Sequence, residues 1–339
     1  MQQDSSQRIV YLDLLRFIAT FGVIFLHVYG SGYNSNFKSF NWYIAVVGDS
    51  LVRWAVPLFV MISGVLFLNP EKDITWRSIL TKSLPRLLLA YVFWTFAYGL
   101  VHIGDEMIRG NGLMLWYLFH PAFHLWFLPM LMGIYLCVPM MRKISKDENL
   151  MRYALVIWLV YLLVVFVESL WPMYQIGDVF TKNIVVGYLG YFLLGYYLSK
   201  KAFSKKQIHL IYIFGLMGVV ITISGNIIYS YYNGKPDVSF LSELSIHVVA
   251  MVMALFIFLK EKAPNCGKLL LRFVEYVRKE LFGVYLTHAF WLVLLTNGMI
   301  KNYCSHLITL PIISLAIFFL SLFTTKLIRR IPFLKKVVE

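Results

Sequence analysis

A guanidinium and an imidazole embedded in one apolar run are the first residues of this sequence that offer chemistry. In the segment from Tyr11-Leu-Asp13-Leu-Leu-Arg16 to His27, the two basic groups stand eleven residues apart. On a helix that separation is three turns plus about 20°, so Arg16 and His27 share a face, about 16 Å apart along the axis. Asp13 and Thr20 fall within roughly 60° of that face, which gives a polar stripe of Asp13, Arg16, Thr20 and His27. Imidazole is the side chain best suited to exchange a proton near neutral pH, and guanidinium presents a planar fork of donors to anions. The spacing leaves a plainer reading open, in which Arg16 snorkels beside Asp13 and His27 is a packing or interfacial residue.

Further polar groups interrupt other apolar runs. Arg53 stands four residues after Asp49, a spacing that suits an ion pair. Pro57 is expected to kink the helix it enters, and Ser63-Gly64 permits close helix approach. Arg86 follows Pro85 at the inner mouth of a third helix, where anchoring competes with a functional role. His124-Leu-Trp126-Phe127 opens a fourth helix at the outer interface, where an aromatic belt is ordinary. Gly283-Val-Tyr285-Leu-Thr-His288 places a histidine in the inner half of a ninth helix. Glu168 is read as a solvated helix end. His102, His120, His209, His247 and His306 are read as interfacial or structural.

The elements that must position these groups follow from composition. Hydrophobic residues make up 60% of the 339 and charged residues 14%, well away from the balance of a soluble domain. Ten apolar stretches are each roughly long enough to cross a hydrocarbon core: 10–29, 51–68, 85–103, 124–141, 152–171, 183–199, 207–230, 243–259, 281–299 and 307–326. The fold class expected is therefore all-α, a polytopic membrane protein of about ten helices. With a cytoplasmic N-terminus, 24 of the 31 Lys and Arg fall on inside segments and 5 on outside loops, Lys38, Arg109, Lys182, Lys235 and Lys301. That asymmetry obeys the positive-inside rule and places both termini in the cytoplasm. The net charge of +14 is then topogenic, with attraction to anionic headgroups of the bilayer, and nucleic-acid binding is disfavoured. Arg16 and His27 suit a permanent first helix better than a cleaved signal peptide. Short loops and the lack of linker or repeat signals indicate a single membrane-embedded domain over 1–339. Cys137, Cys266 and Cys304 form no disulfide framework or metal-ligand spacing, and no metal site is expected.

Several chemistries lack their residues. There is no His-Glu-x-x-His run, no Gly-x-Ser-x-Gly elbow and no phosphate-cradling glycine loop. No histidine is followed five residues later by aspartate, which removes the soluble glycerolipid acyltransferase signature. Pro57, Pro129 and Pro172 do not form the symmetric pattern of broken helices that marks many transporters.

Taken in order, five segments resemble the membrane-bound acyltransferase-3 family. They are Tyr11 to Arg16 through His27; Val56-Pro57-Leu-Phe-Val-Met-Ile-Ser63-Gly64; the Arg86 region; His124-Leu-Trp126-Phe127; and Phe282-Gly-Val-Tyr285-Leu-Thr-His288. Arg16 followed by His27 matches the family's arginine–ten residues–histidine signature and is the most specific element. The sequence departs from the family at Glu280-Leu281, where many members carry a small hydroxyl residue, and no extracytoplasmic hydrolase-like domain is fused. The resemblance implies transfer of an acyl group, usually acetyl, to sugars of surface polysaccharides, one branch acting on enterobacterial common antigen. It implies a multi-pass protein of the inner, cytoplasmic membrane. Acetyl-CoA is then the co-substrate, no cofactor is bound permanently, and the acceptor is a glycan or lipid-linked sugar. On this reading His27 is the catalytic base or an acyl carrier, Arg16 and Arg86 hold the donor, and Arg53, His124, Trp126, Tyr285 and His288 are candidates for gripping the acceptor or stabilising the oxyanion. A rival remains open, a transporter or exporter of a lipid-linked or polysaccharide substrate, whose path the same polar stripe would line. A membrane scaffold would leave the intramembrane charges unexplained.

Overall fold

The computed structural model describes residues 10–108, 115–170, 184–299 and 305–339. Arg8, Arg109, Pro172, Lys182, Lys301 and Cys304 lie outside the described residues, as does the side chain of Glu168. Among the described residues the regular structure is helical throughout. Its main helices are α1 (Val10–Ser31), α2 (Phe40–Leu51), α3 (Ala55–Phe67), α4 (Leu84–Ile108), α5 (Phe127–Ile144) and α6 (Glu148–Leu170). The second half contributes α7 (Ile184–Lys200), α8 (Lys205–Asn233), α9 (Ile246–Lys262), α10 (Lys268–Val277), α11 (Leu281–Met299) and α12 (His306–Arg330).

Eight helical stretches among the described residues are long and apolar enough to cross a membrane. The remaining two expected spans are also helical. α7 has 17 residues, and the apolar part of α11 runs over Leu281–Thr296. The outer surface suits lipid: α6 turns Val156, Ile157, Val160, Leu163 and Val164 outward, and α8 does the same with Leu210, Ile213, Phe214, Leu216 and Val220. The chain is a multi-pass membrane protein.

The segment after α1 departs from expectation. Residues between the first two spans were to form an outer loop, with Arg53 near the end of a helix starting at 51. Instead α2 is a packed helix, with Trp42, Ala45, Val46 and Asp49 buried. A β-carbon added at Gly48 would fall 1.9 Å from the Tyr29 ring, so glycine is what lets α2 lie against α1. Arg53 lies in the break between α2 and α3. Pro57 does not kink a helix, because it is the third residue of α3, in the first turn, where a missing N–H costs no intrahelical bond.

The close approach expected at Ser63-Gly64 is present. A β-carbon at Gly64 would stand 1.8 Å from the Phe192 carbonyl oxygen, and one at Gly195 would stand 2.3 Å from that of Met61. α3 and α7 therefore touch backbone to backbone, as small residues allow in membranes. At the far end of α3, Arg142 donates to the carbonyls of Phe67 (2.7 Å), Asn69 (3.1 Å) and Lys72 (2.9 Å). A charge read from sequence as topogenic thus also ties down the C-terminal end of α3. α1 runs through the middle of the assembly, packed against α2, α3, α11 and α12.

Candidate active site

α1 carries Arg16 and His27 on one continuous helix, so their separation is set by helical rise alone. Thr20 is fully buried between them and donates from its hydroxyl to the Arg16 carbonyl at 2.8 Å. Arg16 lies 3.5 Å from Asp13 in an ion pair and keeps about a third of its side chain exposed. The exposed side of Arg16 faces a cavity of about 300 Å³, which Arg86 from α4 and Arg278 from the end of α10 also line. Ser63, Tyr135 and Glu339 complete its polar wall. Three guanidinium groups against one carboxylate make this a cavity suited to a polyanion.

His27 stands in a different chamber. Its ring is stacked on that of His288, with centroids 5.3 Å apart and planes at 20°, and meets Phe123 edge to face at 4.8 Å. His124 lies 5.0 Å from His288, nearly perpendicular to it. Three imidazoles from α1, the turn before α5, and α11 therefore converge, although the sequence places them far apart. His124 and His288 are both buried. The His288 Nδ1 hydrogen bond to the Tyr285 carbonyl requires the nitrogen to be the donor, since a carbonyl only accepts. In the neutral ring that leaves Nε2 as the acceptor, and Nε2 is buried with no hydrogen-bond partner among the described residues. His124 is fixed in the opposite sense, with Nε2 donating to the Leu286 carbonyl at 3.3 Å and Nδ1 without a partner among the described residues. Backbone carbonyls thus set both tautomers.

Tyr285 ties these groups together. Its hydroxyl donates to the His124 carbonyl, and Tyr98 from α4 donates to the Leu286 carbonyl at 2.7 Å. A small cavity of about 50 Å³ opens beside His27, with His124, Trp126, Glu243 and Tyr285 in its wall. Five of the eight residues singled out from sequence therefore meet at one place: His27, His124, Trp126, Tyr285 and His288. Arg16 and Arg86 meet in the other cavity, which Tyr285 also borders. Arg53 lines neither. It is paired with buried Asp49, as the four-residue spacing suggested, and reaches Glu243 at 3.3 Å. Through that carboxylate Arg53 is joined to the wall of the His27 chamber.

Sequence reasoning missed Glu243, Arg278, Tyr98 and Phe59 as site residues. Arg278 is one of many basic residues in the sequence, and the turn between α10 and α11 brings it to the cavity that Arg16 lines. Glu243 stands in a polar turn before α9, with nothing nearby to mark it. Glu280, the departure from the family pattern, is buried and paired with Arg329. His247 and His306 have structural partners, the Phe240 carbonyl and Asn41.

Over residues 9–329, nearly the whole chain, the sequence matches the family described as Acyltransferase domain, the acyltransferase-3 family. No curated protein and no solved structure matches it.

Proposed function

The chain belongs to the acyltransferase-3 family, and from that membership we propose that it moves an acetyl group from cytoplasmic acetyl-CoA to a hydroxyl of a cell-surface glycan or its lipid-linked precursor. The observation that carries this reading is the pairing of an arginine-lined cavity with a histidine-lined one along a single helix. Coenzyme A is a polyanion at one end and a neutral thioester arm at the other. Arg16, Arg86 and Arg278 suit the phosphates, and His27 suits the thioester end, about 16 Å further along α1. The arginines lie on the side that the charge distribution assigns to the cytoplasm, where acetyl-CoA is made, and the membrane is the inner, cytoplasmic one.

In the transfer, the acceptor hydroxyl oxygen attacks the thioester carbonyl carbon while His27 takes the hydroxyl proton. The carbon–sulfur bond then breaks, the acetyl group stays on the acceptor oxygen, and the proton passes to the departing thiolate to give CoA. His288, stacked on His27, fixes the orientation of the base. The Glu243 carboxylate in the same wall offsets the positive charge that develops on the imidazole. Trp126 and Glu243, in the wall of the same cavity, are the residues this reading assigns to the acceptor.

Donor binding tests the first half of this reading: acetyl-CoA and CoA should each raise the thermal stability of the purified protein. Indifference to both at millimolar concentration overturns it. The second half is tested on surface glycans from cells with and without the gene, where loss of about 42 mass units per acetyl group identifies the acceptor.

A further inference from the structure

The arginine cavity and the histidine cavity share a wall. Phe59, Phe127 and Tyr285 line both. Their rings contact one another pairwise, with centroids 5.9 Å apart for Phe59 and Phe127, 5.6 Å for Phe127 and Tyr285, and 6.5 Å for Phe59 and Tyr285. A closed triangle of aromatic rings therefore stands between the groups that suit the donor's charges and the group that would act on its thioester.

The three rings are not held alike. Tyr285 is buried, anchored through its hydroxyl to the His124 carbonyl and stacked on Phe282. Phe127 is buried and meets Trp126 edge to face. Phe59 is only half-buried, and the hydrogen bond at that residue, from Ser63 Oγ, engages its carbonyl rather than its ring. A phenylalanine ring on the first turns of a helix swings about two side-chain torsions without disturbing the backbone. Beyond the triangle the space beside His27 is about 50 Å³, on the order of one or two water molecules. That is the scale of an acetyl group and not of a long acyl chain.

We infer that the donor's thioester arm reaches His27 through the triangle of Phe59, Phe127 and Tyr285, and that the Phe59 ring decides how long an acyl group passes. This rests on the donor reading given above. The closed rings keep water on the histidine side from the thioester until the arm is inserted. Without an acceptor, a leaking triangle lets water attack in the hydroxyl's place: its oxygen joins the carbonyl carbon, the carbon–sulfur bond breaks, and acetate and CoA leave.

The test uses the purified full chain with acetyl-CoA and butanoyl-CoA as probes and no acceptor. It reads thermal stabilisation by CoA for donor binding and free thiol for hydrolysis. Phe59→Ala should raise the butanoyl-to-acetyl hydrolysis ratio by about tenfold or more, the usual discrimination from added methylenes in a tight pocket. Phe59→Leu, which keeps most of the volume and guards against a misfolded alanine variant, should give a smaller rise. Phe59→Trp should slow hydrolysis of both probes, and CoA stabilisation measured alongside separates a blocked passage from a lost donor site, since Phe59 also borders the arginine cavity. A ratio unchanged in both the alanine and leucine variants, or no hydrolysis by any variant that CoA still stabilises, overturns the inference while leaving the donor site standing. A wild-type protein that CoA does not stabilise is a failure of the donor reading, and the triangle's assigned role falls with it.

Discussion

The imidazoles of His27 and His288 lie stacked, ring centroids 5.3 Å apart, although they come from opposite ends of the chain. His288 is fully buried, and its Nδ1 hydrogen bond to the Tyr285 carbonyl holds it in place. The ring that presents His27 to its cavity is thus itself fixed by backbone. Orientation of that kind is what a proton-transfer residue requires, because a base must meet its proton within hydrogen-bond reach.

Loss of the His27 imidazole should therefore lower turnover by about a hundredfold to ten-thousandfold, the usual worth of a positioned base. His27→Ala should still be stabilised by CoA, since the donor's charged parts are assigned to Arg16. Labelled acetyl-CoA without acceptor separates the two histidine mechanisms. Label retained on His27 of the wild type establishes an acyl-imidazole relay, and its absence leaves direct transfer. Full activity in His27→Ala removes both.

Replacing Arg16 by lysine keeps the charge and loses the planar fork. In a cavity where three guanidinium groups converge, Arg16→Lys should weaken acetyl-CoA binding while the protein still inserts and folds. Titration of thermal stability with acetyl-CoA reads the change. Unaltered affinity and turnover would make Arg16 an anchor beside Asp13.

Asp49 is almost wholly buried and is the near partner of Arg53. Removing one member of a buried pair costs about 3–5 kcal/mol when its partner is left uncompensated, and less here because Glu243 still stands 3.3 Å from Arg53. Asp49→Ala should accordingly destabilise the protein in detergent more than Glu243→Ala, whose carboxylate is a fifth exposed. The reverse order would place the weight of the cluster on Glu243.

Gly64 and Gly30 are both helical glycines with opposite surroundings. A β-carbon at Gly64 meets the Phe192 carbonyl oxygen at 1.8 Å, whereas one at Gly30 meets nothing within 4 Å. Gly64→Ala should cost about 1–3 kcal/mol through overpacking, and Gly30→Ala should be neutral or mildly stabilising. Thermal denaturation of the two variants side by side checks the α3–α7 contact.

The charge asymmetry predicts an orientation that reporter fusions can read. Fusions after Lys201 and after Arg330 should report cytoplasm, and a fusion after Lys235 should report the outside. A cytoplasmic signal at Lys235 contradicts the assignment of α8 and α9 as a pair of crossings.

The helices and the single-helix relationship of Arg16 to His27 were legible in the sequence, because both are local. Apolar run length decides whether a segment crosses lipid, and helical rise fixes where two residues of one helix stand. The pairing of Asp49 with Arg53 was legible for the same reason, being four residues long. What lay between the first two spans was not. The burial of α2 depends on Gly48 meeting Tyr29 and on Trp42 finding a fully enclosed place, which are facts about neighbours rather than about the segment. The kink expected at Pro57 failed because a helix start two residues earlier, at Ala55, makes a first-turn proline harmless. Likewise, no periodicity connects His27, His124 and His288, or Arg16, Arg86 and Arg278. Each set gathers residues from separate helices whose order in space follows from side-chain packing and close backbone approach. The sequence determined that the chain crosses the membrane many times and marked Arg16 and His27 on one helix face, because both are local properties. The tertiary structure alone decided that the arginines and the histidines occupy two cavities with Phe59, Phe127 and Tyr285 between them.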